Sequence, residues 1–278
     1  MKYRIVSDSS SNMLEFTPDV DYKTVPLKMR IDGKEYVDDE NLDILQLVTA
    51  MEANTEKSST SCPNIQEWLD AFEGADVIFA ITISSNLSGS YNSAVNAKEM
   101  YLETHPEAKI HVVDSLSTGG EMELIIEYLR DCFLAEMPFE EIVEKVSAYQ
   151  KTTHLIFTLY SLRNLANNGR VSPAIAKIAS LLNIRFLGTA SEEGTIQQDK
   201  ICRGEKKLLA AAVQEMISLG YDGKKVRISN CINLTAAEKL KDLILEKFPA
   251  ADVTIRTMTG LCTYYAERGG MIIGFETA

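Results

Sequence analysis

Short apolar runs alternate with amphipathic segments along the first half of the chain. The runs with strand character lie near residues 3–7, 24–29, 77–83 and 109–113. The segments with helical periodicity lie near residues 42–53, 64–73, 89–102, 119–136 and 139–150. Strands that alternate with helices of this length are typical of βαβ units. The pattern therefore predicts an α/β region built on a parallel sheet.

The second half of the chain has a different pattern, in which some strands follow one another directly. Its strand-like runs lie near residues 154–160, 184–188, 195–198, 225–230, 252–257 and 271–275. Two short helical segments, divided at Asn168-Gly169, follow the first of these runs, and longer helices lie near residues 205–219 and 235–247. Gly194 lies between two of the runs, where it predicts the turn of a β-hairpin. This half therefore reads as an α+β region with a mixed sheet.

The change of pattern predicts two domains. A polar stretch at residues 149–153 separates the two halves, so the boundary is expected near residue 150 and divides residues 1–150 from residues 151–278. An apolar stretch at residues 175–182 in the second half could line a tunnel.

Ser and Thr residues cluster where predicted strands end and helices begin. The clusters lie at residues 7–11, 58–61, 84–90 and 114–118. The carboxyl ends of parallel strands meet at one edge of a sheet, where α/β proteins hold their ligands. Backbone N–H groups, helix N-termini and hydroxyls together favour a small anion there. A single cluster of this kind is typical of an ordinary helix N-cap, but four in the first 120 residues favour a binding site.

Composition and charge narrow the classes of function. The net charge of −12 argues against unaided binding to nucleic acid or to an anionic membrane. The five cysteines are scattered without a CxxC pair, and the start of the chain lacks the apolar region of a signal peptide, so we expect a cytoplasmic protein with reduced thiols. The chain has three histidines and none of the usual nucleophile or phosphate-loop motifs. We therefore predict no catalytic residue, no metal and no cofactor.

Six segments in order along the chain resemble the motifs of the DegV family, the fatty-acid-binding subunits of bacterial fatty acid kinase. They are residues 7–11 (SDSSS), 60–64 (TSCPN), 83–94 (ISSNLSGSYNSA), 113–117 (VDSLS), 162–172 (LRNLANNGRVS) and 200–207 (KICRGEKK). The resemblance implies two domains, an N-terminal three-layer α/β/α domain with a parallel sheet and a C-terminal α+β domain with a mixed sheet that closes over the ligand. It implies a non-catalytic protein that holds a long-chain fatty acid in a buried tunnel. A partner kinase would phosphorylate the bound acid to an acyl phosphate, and membrane contact would be transient.

The resemblance also implies which residues form the site. The hydroxyls of Thr60, Ser61 and Ser93 would hold the carboxylate. Secondary positions, near the head group or on a partner-docking face, are Ser88, Gly89, Ser115, Ser117, Arg170 and Arg203. Hydroxyls suit this role because they donate to a carboxylate without placing a cation in the interior.

The sequence departs from the family near its C-terminus, and two alternatives therefore stay open. Met258 stands where family members carry a histidine associated with the head group. The chain could be a divergent regulatory paralogue that is not coupled to a kinase. It could also be an enzyme or sensor for a small phosphorylated metabolite, although a phosphate site usually recruits Lys or Arg and the hydroxyl clusters have only Lys57 at an edge.

Overall fold

The fold was analysed in a computed structural model, which describes residues 2–172, 175 and 184–278. Its strands are β1 (Tyr3–Asp8), β2 (Asp21–Val25), β3 (Lys28–Ile31), β4 (Lys34–Val37), β5 (Ser59–Ser61), β6 (Val77–Thr82), β7 (Lys109–Asp114), β8 (Thr153–Leu159), β9 (Ile184–Ala190), β10 (Ile196–Arg203), β11 (Lys225–Asn230), β12 (Asp252–Thr257) and β13 (Met271–Glu276). Its helices are α1 (Ile44–Ala53), α2 (Ile65–Phe72), α3 (Ser90–Thr104), α4 (Gly120–Leu134), α5 (Phe139–Tyr149), α6 (Arg163–Asn167), α7 (Glu205–Ser218), α8 (Leu234–Lys247) and α9 (Gly260–Ala266).

The N-terminal half forms a three-layer structure around a parallel sheet. The strand order is β2-β1-β6-β7, and all three pairings are parallel. β6 is buried on both faces because helices cover both sides of the sheet. Trp68 and Phe72 of α2 pack on one face, while Phe79 of β6 faces the opposite core, which includes residues of α4 and α5. The carboxyl ends of β1, β6 and β7 therefore meet at one edge, as the pattern predicts.

The C-terminal half forms a six-stranded mixed sheet in the order β10-β9-β8-β13-β11-β12. β13, the last strand of the chain, is antiparallel to both of its neighbours, β8 and β11. Residues of α7 and α8 form an apolar core on one face of this sheet. α4 packs on the other face so closely that a Cβ at Gly120 would collide with the backbone of Arg227 and Gly274. The close approach of helix and sheet therefore requires glycine at position 120.

The fold class is confirmed, and the structure differs from the prediction at three places. The single strand expected near residues 24–29 is two strands, because Pro26 has no N–H to donate and β3 leaves the parallel sheet to pair with β4 and β5. The hydroxyl cluster at residues 58–61 contains β5, so it does not follow a parallel strand. Helix α9 was not predicted.

Two other expectations concern the domain boundary and the apolar stretch at residues 175–182. The parallel sheet uses strands within residues 3–114 and the mixed sheet uses strands within residues 153–276, yet Leu261 and Tyr264 of α9 pack in the core of the first half. The division near residue 150 therefore stays a prediction. The apolar stretch at 175–182 lies, apart from Ile175, outside the described residues.

None of the helices that the structure describes has the length and apolar character that a bilayer span requires.

Candidate functional site

A cavity of about 330 Å³ lies where the loops of the parallel sheet meet the mixed sheet. This volume is at the lower end of the range for small-molecule pockets, roughly 300–1,000 Å³. Leu155, Phe157 and Leu159 line it from β8, and they share one face because side chains alternate along a strand. Ile272 of β13, which pairs with Phe157, and Ala190 of β9 extend the same surface. We call these five residues the apolar wall.

Hydroxyl-bearing segments of the N-terminal half also line the cavity. Thr60 and Ser61 reach it from β5, Ser88 and Gly89 from the loop before α3, and Ser117 from the loop after β7. We call these five residues the polar wall. Four of the five lie in the two motif segments at residues 60–64 and 83–94, which are 18 residues apart in the chain and adjacent in the structure, where the Cys62 thiol lies 4.0 Å from Ser93 Oγ. The structure therefore brings most of the predicted head-group residues together.

The other predicted site residues lie at different distances from the cavity. Ser93 lies behind Cys62, with 4.0 Å between its Oγ and the Cys62 thiol, and it does not line the cavity. Ser115 is buried, donates its hydroxyl to the carbonyl of Ser117, and faces a neighbouring cleft. Arg203 is exposed at the end of β10 and is not part of the cavity wall. Their roles stay predictions.

Arg170 lies at an opening of the cavity. Its guanidinium Nε donates to the carbonyl of Leu87 at 3.2 Å, which anchors it to the loop before α3. A polar pocket of about 410 Å³ adjoins the cavity, and Ser88, Gly89, Arg170 and Thr195 line both. A ligand group held at the polar wall is therefore close to a second space, which shares the Arg170 cation with the cavity.

The turn of the β9–β10 hairpin covers part of the cavity and is fixed to the loop after β6. The hydroxyl of Ser84 donates to the carbonyl of Gly194 at 2.7 Å, and the side-chain amide of Asn86 donates to the carbonyl of Glu193 at 2.7 Å. Gly194 has a φ of +73°, and a Cβ there would meet Ser84 Oγ and the backbone of Leu116. The hairpin was predicted from sequence, but its contact with the N-terminal loops depends on the tertiary fold.

Helix α9 supplies wall residues that the sequence reasoning missed. Leu261, Cys262 and Tyr265 all line the cavity. The Tyr265 hydroxyl lies 2.8 Å from Thr60 Oγ1. Burial raises the pKa of the Cys262 thiol to about 12, so this side chain is a neutral part of the wall. Met258, just before the helix, is buried in an apolar cluster and does not line the cavity.

Buried carboxylates organise the loops around the cavity. Asp8 accepts hydrogen bonds from the backbone of Ile83 at 2.9 Å and from Ser90 Oγ at 2.6 Å, so it joins two of the hydroxyl clusters. Glu121 of α4 accepts from Ser117 Oγ and, at 2.7 Å, from Thr153 Oγ1. Burial raises the pKa of both carboxyls, that of Glu121 to about 7. These hydroxyls are thus committed to the buried carboxyls rather than to helix caps, because the N-cap residues of α3 and α4 are Gly89 and Gly119, which have no side-chain cap.

The chain matches known proteins along almost its whole length. The family model described as "Uncharacterised protein, DegV family" matches residues 2–277. A DegV domain-containing protein of Streptococcus pneumoniae is 43% identical over 279 residues, which cover 99% of each chain.

Two solved structures are similar over the full fold. The Streptococcus pneumoniae fatty acid kinase B3 protein, loaded with linoleic acid, has a TM-score of 0.97 and 42% sequence identity, with 100% of both chains covered. A DegV family protein from Eubacterium eligens, loaded with heptadecanoic acid, has the same TM-score and identity, with 99% of this chain and 100% of that chain covered.

Proposed function

Because the chain belongs to the DegV family, we propose that it binds one long-chain fatty acid in the cavity between the apolar and polar walls. The carboxylate lies at the polar wall, with Thr60 and Ser61 as donors, and Ser93 supports the same end of the ligand from behind Cys62. The acyl chain extends along the apolar wall. The observation that carries the proposal is a single cavity lined both by aliphatic and aromatic side chains and by a group of hydroxyls.

Magnitudes assign different roles to the two walls. Each buried methylene contributes roughly 0.8 kcal/mol, so a chain of a dozen methylenes contributes on the order of 10 kcal/mol as an upper estimate. A hydrogen bond to a charged group contributes about 1.5–3 kcal/mol. The acyl chain therefore supplies most of the affinity, and the hydroxyls chiefly fix the orientation of the acid in the cavity.

Native mass spectrometry of the purified full chain tests this proposal. We expect a retained mass equal to one C16–C18 acid, and we expect the delipidated protein to bind oleate but not a hexose phosphate of the same concentration. Hexose phosphate serves as the matched control because it probes the alternative of a phosphorylated metabolite. A delipidated protein that binds the sugar phosphate and ignores oleate would overturn the proposal.

We further propose that the bound acid is presented to a partner kinase through the polar pocket beside Arg170. Its similarity to the fatty acid kinase B3 protein supports this step. So does the geometry, since Ser88, Gly89 and Arg170 border both the cavity and the polar pocket. A kinase approaching from outside would thus reach the carboxylate without entering the acyl cavity. We propose that Arg203, which is exposed and is not part of the cavity wall, contacts the docked kinase.

An exchange experiment tests the coupling to a kinase. The oleate-loaded chain would be mixed with a fatty acid kinase catalytic subunit and ATP, and acyl phosphate would be trapped as the hydroxamate with hydroxylamine. We expect hydroxamate from the loaded chain and none from the delipidated chain. Oleate binding without any hydroxamate would leave the binding proposal standing and would support the uncoupled regulatory alternative, in which Met258 replaces the family histidine.

A further inference from the structure

We infer that the Tyr265 hydroxyl is part of the head-group site, where it accepts a hydrogen bond from Thr60 and donates its own proton to the carboxylate. This inference rests on the proposed binding of a fatty acid. Tyr265 lies on α9 and Thr60 on β5, about 200 residues apart in the chain, and their side chains line the same cavity. The two hydroxyl oxygens are 2.8 Å apart. Neither the motif at residues 60–64 nor any other motif segment includes Tyr265.

Counting protons shows what this pair can do. Two hydroxyls carry two protons, and the hydrogen bond between them uses one. If Tyr265 donates to Thr60, the Thr60 proton is free, and if Thr60 donates to Tyr265, the Tyr265 proton is free. In either arrangement one donor remains for a ligand in the cavity. An ionised carboxylate only accepts hydrogen bonds, so it matches this pair.

The electrostatic surroundings keep the pair neutral. Burial raises the pKa of Tyr265 above its ordinary value, while the nearby Arg170 charge acts in the opposite direction and is the weaker effect. The phenol therefore stays protonated at physiological pH and remains a donor. Met258 cannot donate a hydrogen bond, and its side chain is buried away from the cavity.

The preceding residue, Tyr264, shows what a purely structural tyrosine looks like in this helix. Its hydroxyl lies 2.6 Å from Ser58 Oγ and accepts from the Asn168 side chain at 3.0 Å. Its side chain is fully buried and does not line the cavity. Removing this hydroxyl would take one hydrogen bond from each of two half-buried partners, which lowers stability but does not touch a ligand. Tyr264 is therefore a matched control for Tyr265.

The test compares Tyr265→Phe with Tyr264→Phe in the delipidated full chain. Each variant is titrated with oleate and with methyl oleate, which has the same chain but no charge. We expect Tyr265→Phe to weaken oleate binding severalfold, up to about tenfold, because the bond from the phenol to the charged group is lost and Thr60 alone remains as a donor, and to weaken methyl oleate binding no more than about threefold. We expect Tyr264→Phe to lower the melting temperature and to leave the ratio of the two affinities unchanged.

The other outcomes are distinguishable. Equal losses for oleate and methyl oleate in Tyr265→Phe would mean that Tyr265 acts by packing, and unchanged oleate binding would mean that its hydroxyl is not used; either result overturns the inference and leaves the proposed function intact. A wild-type chain that binds neither ligand would overturn the proposed function and this inference with it. Thermal melts in the absence of ligand show that each variant is folded, and Thr60→Val provides a second variant that removes the partner hydroxyl.

Discussion

The two walls of the cavity come from regions that are organised by different physics. The apolar wall lies mainly on paired strands, where period-two alternation and ladder hydrogen bonds fix side chains such as Leu155, Phe157 and Ile272 on one face. The polar wall comes from loops and one edge strand, held by side-chain bonds such as those to Asp8 and Glu121. A continuous sheet offers a large apolar contact surface to an extended acyl chain. Loops, in contrast, can place several hydrogen-bond donors around one carboxylate.

The largest expected effect comes from filling the space beside the apolar wall. Ala190 lines the cavity, so Ala190→Phe places a ring where the acyl chain would lie. Displacing about four methylenes of the acyl chain removes roughly 3 kcal/mol of favourable binding free energy. We therefore expect oleate to bind at least about 100-fold more weakly. Ala148→Phe, at an exposed position of α5, is the control for adding an aromatic residue. Unchanged affinity in Ala190→Phe would show that the apolar wall does not hold the ligand.

A second effect concerns stability on the polar side, where Glu121 binds the Ser117 hydroxyl. Burial raises the pKa of Glu121 from 4.5 to about 7, so between these values the folded protein binds more protons than the unfolded chain. The free energy of unfolding therefore falls as pH rises through this window, in total by roughly 3 kcal/mol for this group. Glu121→Gln stays neutral and keeps an acceptor.

Urea denaturation at pH 5 and pH 8 measures this contribution. Glutamine does not titrate, so the variant lacks this loss of stability. We therefore expect the free energy of unfolding of Glu121→Gln, relative to that of wild type, to be higher at pH 8 than at pH 5 by on the order of 2–3 kcal/mol. The same difference from wild type at both pH values would show that this carboxyl does not control the stability of the polar side.

A third effect tests the hydroxyls themselves. The double variant Thr60→Ala with Ser61→Ala should weaken oleate binding by about 2 kcal/mol, or roughly 30-fold. Each hydrogen bond to a charged group contributes about 1.5–3 kcal/mol, and water replaces part of the loss. The same variant should weaken the binding of methyl oleate less than that of oleate. Adding Ser93→Ala shows whether this residue acts from behind Cys62. If the triple variant retains oleate as well as wild type does, the head group lies elsewhere.

The smallest expected effect separates two arginines. Arg170 borders the cavity and Arg203 is exposed away from it. We expect Arg170→Gln to weaken oleate by a few fold, up to about 1 kcal/mol for a half-exposed charge, and Arg203→Gln to leave binding unchanged. Isothermal titration of both variants at low and high salt is the measurement. A larger loss in Arg203→Gln would move the cationic part of the site to β10.

The sequence predicts most strands and helices because their periodicity is local, but it does not predict the contacts that complete the site. Helix α9 has seven residues, and its N-terminus is capped by Asp38, which accepts from the Gly260 and Leu261 backbone across 222 residues of sequence. Burial raises the pKa of Asp38 to about 6. No signal near position 260 encodes that cap, and Tyr265 was therefore missed.

Local sequence also does not separate the structural hydroxyls from the cavity-lining hydroxyls of the Ser/Thr clusters. The predicted donors Thr60 and Ser61 line the cavity, whereas Ser9, Ser10 and Ser11 are fully buried and bond within the fold. All of these residues look alike in sequence, since Ser and Thr serve N-caps, loops and ligands equally well. Only the resemblance to a family separated them before the structure did.

A crystal structure of the delipidated chain reloaded with oleate tests the central claim most directly. The account predicts continuous density along Leu155, Phe157 and Ile272, with a carboxylate oxygen within about 3.2 Å of a hydroxyl of Thr60, Ser61 or Tyr265. Oleate outside this cavity, or inside it with the carboxylate against the apolar wall, would contradict it.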